Sequence, residues 1–201
     1  MCGCFGVGRG LAAVAFFAMG WSGVLRAQEP LAVFDAPPHF TFAERWEARA
    51  GFFFHDRLSP GPESNTYDLH GALVTPRLWT GEGGPWDVLL PRLQVGGFLN
   101  LSGRTSAAFV DALWTIPLKG PFFAEIFVGP SIHDGSLRST ATMAGLGCRM
   151  LVHAGASVGM RLSEHVSVLA TYAHMSNAKS LSDCPQNQGL DNIGLQIAHS
   201  F

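Results

Sequence analysis

What this chain lacks narrows the reading first. Beyond its opening 27 residues, no stretch comes near the ~20 apolar residues that a membrane-spanning helix needs. No later segment repeats its apolar positions with a helical period either, so a helical bundle does not fit. Charge is scarce, at 14% of 201 residues with a formal net charge of −2, where soluble domains carry about 25%. Nothing basic suits a polyanion, which excludes nucleic acid as a partner. No His-x-x-x-His or Cys-x-x-Cys spacing occurs, so no metal is expected. Cysteine numbers only four. Cys2 and Cys4 fall in the opening segment, and Cys148 and Cys184 remain as a pair that an oxidising compartment could join.

What is present begins with that opening segment. Residues 1–27 have a basic Arg9, an apolar stretch from Leu11 to Leu25, and a small Ala27 before Gln28-Glu29-Pro30. This reads as a secretory signal peptide. Losing Arg9 and Arg26 from 13 basic residues leaves 11 against 15 acidic ones, net −4. Residues 28–43 hold Pro30, Pro37 and Pro38 with no clear period, and read as a short periplasmic N-terminal segment. The remaining chain, residues 44–201, is long enough for one domain.

That domain alternates throughout. Trp46, Ala48, Ala50, Phe52 and Phe54 oppose Arg45, Glu47, Arg49 and Gly51. The pattern recurs over residues 67–79, 89–101, 107–118, 122–132 and 147–161, and again from Val166 to Ser176 and from Gly189 to Phe201. Successive side chains of a strand point to opposite sides, so each strand has one continuous apolar face. The other carries small residues with isolated charges. Short connections alternate with longer polar ones. The expected fold is all-β, an eight-stranded antiparallel transmembrane β-barrel with its apolar faces turned to lipid. Glu47, Arg49, Arg92, Asp111, Glu125 and Arg149 would then pair within a narrow lumen, because an unpaired buried charge is expensive. His153 is expected in that lumen network, and His55, His70 and His199 are expected to be solvated near the rims. The aromatic C-terminus, Phe201, looks like an assembly signal, which makes the barrel-assembly machinery an expected partner. A homodimer is left open.

The last hairpin holds the chemistry. Val166, Val168, Ala170 and Tyr172 share a face with His174 and Ser176, the last two roughly 6–7 Å apart along the strand. Across the hairpin, Asp191 shares a face with Ile193, Leu195 and Ile197. A hydroxyl, an imidazole and a carboxylate thus meet on apolar faces, the set a serine hydrolase uses. Asn177 is an available amide donor for an oxyanion. Asp183, within the loop, is a rival acid. The same spacing also fits residues wetted by lipid headgroups, and the spacing by itself leaves both readings open.

The string His174-Met175-Ser176-Asn177-Ala178, followed by a loop and Gly189-Leu190-Asp191, resembles the signature of the PagL-type lipid A 3-O-deacylases. These are eight-stranded outer-membrane esterases with a site on the outer barrel wall. The resemblance covers about a fifth of the mature chain. It implies catalytic roles for Ser176 (nucleophile), His174 (general base) and Asp191 (third member), and an oxyanion role for Asn177. It implies no cofactor, lipid A of lipopolysaccharide as substrate, and a site toward the outer leaflet of the cell outer membrane. Two departures stand out: the acid is Asp where the best-known members have Glu, and the loop is longer and contains Cys184. A Cys148–Cys184 bridge would pin that loop over the site. The rival functions are a structural or adhesive barrel without chemistry and, further off, a palmitoyl transferase.

Overall fold

The computed structural model describes residues 45–58, 61–78, 88–178 and 184–201. The expected signal peptide and N-terminal segment, residues 1–43, and the rival acid Asp183 lie outside the described residues.

Eight antiparallel strands close into a barrel. They are β1 (Glu47–His55), β2 (Thr66–Arg77), β3 (Arg92–Asn100), β4 (Ala107–Pro117), β5 (Phe122–His133), β6 (Met150–Arg161), β7 (Val166–Ser176) and β8 (Leu190–Ser200). Each pairs with its neighbours in sequence, and β8 closes against β1 with Glu47 opposite Ser200. Closure leaves no unpaired strand edge, as a hydrocarbon surrounding demands. Lengths of 9–12 residues suit a tilted strand crossing a bilayer.

Alternation decides which side faces out. In β4, Ala107, Phe109, Asp111, Leu113 and Thr115 are buried while Ala108 and Val110 are exposed. Repeated around the wall, this leaves Phe52, Leu69, Leu99, Ile126, Val158 and Leu195 all more than 40% exposed. An apolar surface of that extent belongs against lipid rather than water. At one end, which holds the strand termini Glu47 and Ser200, residues 118–121 and 162–165 turn tightly. The opposite end, the loop end, carries residues 56–58, 61–65, 101–106, 134–149, 177–178 and 184–189.

The lumen is filled in three levels. Nearest the termini, the Arg49 guanidinium bridges Glu125 at 2.8 and 2.9 Å and Glu47 at 2.6 Å, with Arg92 3.9 Å from Glu47. Asp111 accepts from Gln94 and pairs with His153 at 3.0 Å. A slab of rings follows. Phe109 stacks on His153 at 4.3 Å, and Phe98 lies 5.1 Å from Phe53 and 5.0 Å from His70. Small residues opposite make room: a Cβ at Gly155 would land on the Phe127 ring, which lies 5.1 Å from His153. Toward the loop end, the His55 imidazole lies 2.8 Å from Asp68 and 3.2 Å from Glu63, while Asn100 and Asn192 both donate to Asp68 at 2.8 Å.

Three expected placements are corrected. His55 and His70 are buried inside rather than solvated. They share parity with the inward residues Phe53 and Asp68, and the strands extend far enough to carry them into the wall. Arg149 is exposed and outside the lumen network, because β6 begins one residue later, at Met150. Its guanidinium donates instead to the carbonyls of His133 and Gly135, the latter at 2.7 Å. The third strand starts at Arg92 rather than Leu89, and the β2–β3 ladder shifts register between Val74 and Arg77.

Candidate active site

The β7–β8 ladder pairs His174 directly with Asp191. Both stand on outward rows, with Tyr172 two residues before His174 and Ser176 two residues after it. Because the register places the acid opposite the imidazole, an Asp side chain reaches it, and His174 Nδ1 lies 2.8 Å from Asp191 Oδ1. The acid is nearly shielded from solvent, at 7% side-chain exposure, while the imidazole is 39% exposed. With Nδ1 turned to the acid, Nε2 is the ring nitrogen left for a reaction partner.

Two further features hold these groups. The Arg57 N–H donates to the Asp191 carbonyl at 2.9 Å, which ties the start of β8 to the end of β1. Gly189 backs the imidazole: a Cβ there would sit 2.6 Å from His174 Cε1. Glycine at this position is thus a packing requirement, since any side chain would displace the ring.

Ser176 is half-buried and opposite Val152 of β6. Beside it, on the β5–β6 side, lies a groove of ≈ 740 Å³ lined by Val128, Pro130, Met150 and Val152, with Arg149 and Asn177 at its margin. Asn177 is buried, and its side-chain amide donates to the carbonyls of Leu146, at 3.0 Å, and Gln186. Its own N–H goes to Asn187 Oδ1 at 2.9 Å. Asn177 therefore joins the β5–β6 and β7–β8 loops in this structure, with its donors turned to those loops. Just beyond it, Ala178 takes φ +43°, turning the chain sharply out of β7. Cys148 and Cys184 join the same two loops through a disulfide, with Cα atoms 5.7 Å apart.

A second knot lies deeper. The Glu63 carboxylate accepts from the Thr105 N–H at 2.8 Å, the Thr105 hydroxyl at 2.9 Å and the Ala144 N–H at 2.8 Å. It thereby gathers the β1–β2, β3–β4 and β5–β6 loops over the lumen. Burial would raise its pKa, but the bonds from His55, Thr105 and Ala144 prevail and hold it below the usual carboxylate range. Among the described residues, no group of three or more His, Cys, Asp or Glu is arranged to hold a metal.

Tyr172 joins these groups without a motif to mark it. Its hydroxyl donates to Asp191 Oδ1 at 2.6 Å. The available signal was its parity, since Tyr172, His174 and Ser176 occupy consecutive outward positions.

The model of the lipid A 3-O-deacylase (PagL) family matches residues 67–200. Among solved structures, the crystal structure of the outer membrane enzyme PagL aligns with a TM-score of 0.56 at 13% identity, over 77% of this chain and 99% of that one. The N-terminal β-barrel domain of Pseudomonas aeruginosa OprF aligns with a TM-score of 0.49 at 11% identity, over 79% and 98%. No curated protein sequence matches significantly.

Proposed function

Because this chain belongs to the lipid A 3-O-deacylase (PagL) family, we propose that it hydrolyses the 3-O-linked acyl ester of lipid A with Ser176, His174 and Asp191. The observation that carries this reading is the His174–Asp191 bond of 2.8 Å on the exterior wall, one outward position from Ser176. Ser176 Oγ attacks the ester carbonyl as its proton passes to His174 Nε2. The tetrahedral intermediate collapses, the sugar oxygen leaves with that proton, and an acyl-Ser176 ester remains. Water then gives a proton to His174 and attacks, releasing the fatty acid and restoring the serine. Asp191 fixes the imidazole and stabilises its charged form.

Asn177 is assigned the oxyanion, with one of its two carbonyl bonds exchanged for the developing charge. With the termini on the periplasmic side, His174 and Ser176 sit at the outer leaflet and lipid A arrives by lateral diffusion. The apolar groove beside Ser176 holds acyl chain against Val128, Met150 and Val152. Residues 1–27 act as the export signal. Phe201, at the exposed end of β8, is the recognition element for the barrel-assembly machinery.

Mass spectrometry of lipid A from expressing cells tests the reading. The wild-type chain should remove one hydroxyacyl group, while Ser176→Ala and His174→Ala should leave lipid A intact with a folded, heat-modifiable barrel. Asp191→Ala should retain weak activity, since losing an orienting acid is milder than losing the nucleophile. An unchanged spectrum with wild-type protein would leave a non-catalytic structural or adhesive barrel, and a mass gain would indicate acyl transfer.

A further inference from the structure

We propose that Tyr172 is a positioning residue of this site, its hydroxyl holding the Asp191 carboxylate in the pose that orients His174. The inference rests on the reading of His174 as the general base. It is carried by a convergence: the Tyr172 hydroxyl, at 2.6 Å, and His174 Nδ1, at 2.8 Å, both end on the same oxygen, Asp191 Oδ1. In the ladder Tyr172 faces Ile193, so its ring reaches diagonally to position 191. Aromatic side chains are long enough for that diagonal across a strand pair.

The surroundings explain why the acid needs such a donor. Asp191 is 5% exposed and its outward row continues through Ile193, Leu195 and Ile197. A carboxylate on an apolar wall is costly unless donors replace its lost water. An Asp side chain has two torsions, and a hydrogen bond at its tip fixes the outer one. The tyrosine therefore settles which way the carboxylate faces before substrate arrives, which preorganisation requires of a supporting residue. A tyrosine serving only as an interfacial belt residue would present its hydroxyl to headgroups and water. This one gives its proton to the acid.

The test uses the full chain in detergent micelles with lipid A as substrate. Tyr172→Phe keeps the ring and removes the hydroxyl. It should lower kcat about ten-fold with KM unchanged, the size expected for a hydrogen bond to a charged group. In an Asp191→Ala background the same substitution should cost nothing further, because its effect passes through the acid. The proposal is overturned by a kcat loss under about three-fold, by an equal loss in both backgrounds, or by a change in KM alone. A second readout does not need turnover. The proton on His174 Nδ1, seen by NMR, should shift or broaden in Tyr172→Phe and stay in place in Ser176→Ala. An unmoved resonance in Tyr172→Phe refutes the positioning role even if the chain proves to hydrolyse nothing. A shifted resonance in an inactive wild-type chain upholds the contact while the enzymatic reading falls.

Discussion

Replacing Glu63 by Gln tests how the loop end is held together. The change keeps size and shape but exchanges one acceptor oxygen for a donor. One carboxylate oxygen faces the Thr105 N–H and His55 Nε2; the other faces the Ala144 N–H and the Thr105 hydroxyl. The cheaper orientation turns the new NH2 to the second side, where the hydroxyl can rotate to accept it. The Ala144 N–H is then stranded, and the His55 contact keeps an acceptor but loses the carboxylate's charge. A buried unsatisfied donor costs about 1–3 kcal/mol and a hydrogen bond to a charged group about as much, so about 3 kcal/mol is expected locally. At 1.4 kcal/mol per decade, amide exchange at Ala144 should accelerate about 100-fold, while amides in the β6–β7 ladder keep their protection. The pH dependence has a definite sign. A carboxyl whose pKa is lowered by folding adds stability above its unfolded value and loses it as pH falls through the folded one. Glu63 is lowered from an ordinary 4.5, so protection at Ala144 should persist near neutrality and decay below pH 4.5 in the wild type. The Gln variant should show no such step. Equal Ala144 protection in both proteins at neutral pH would refute the account.

Other expectations follow from single contacts. Arg49→Met strips Glu125 of both guanidinium bonds and leaves it the Thr115 hydroxyl at 3.1 Å, and should cost about 3–5 kcal/mol in urea unfolding from lipid vesicles. Gly189→Ala places a carbon 2.6 Å from His174 Cε1. It should cut deacylation at least ten-fold, with an unchanged urea midpoint. Breaking the disulfide by Cys148→Ser should lower deacylation and speed proteolysis of the β7–β8 loop while the strands stay folded; unchanged activity would show that the Asn177 bonds suffice.

Much of this was legible because a barrel wall writes itself as period-two alternation. Parity gave the eight strands, and it put His174 and Asp191 on apolar faces of the last hairpin, where the ladder pairs them. What escaped the sequence lies where parity is hard to follow or partners are remote. His55 and His70 look like rim residues until the lengths of β1 and β2 carry them inside. Arg149 shares the parity of His153, yet it stands before the strand begins, where alternation no longer sets direction. Glu63 sits among Pro60, Pro62 and Ser64, a plain loop by composition. Its partners Thr105 and Ala144 lie 42 and 81 residues away, and no local pattern announces contacts of that range. Tyr172 was in plain sight on the right face, but a tyrosine near a membrane surface has an ordinary explanation that hides its hydroxyl's partner.

The packed bore makes this cylinder a post rather than a pipe. Rings and ion pairs occupy the space a solute would cross, so among the described residues the wall's inner side serves rigidity and its outer side is the one left to meet a ligand. Mutational drift on the axis would be felt as stiffness and on the rind as a change in the face offered to the membrane, two properties the chain can tune separately because alternate residues of the same strands carry them.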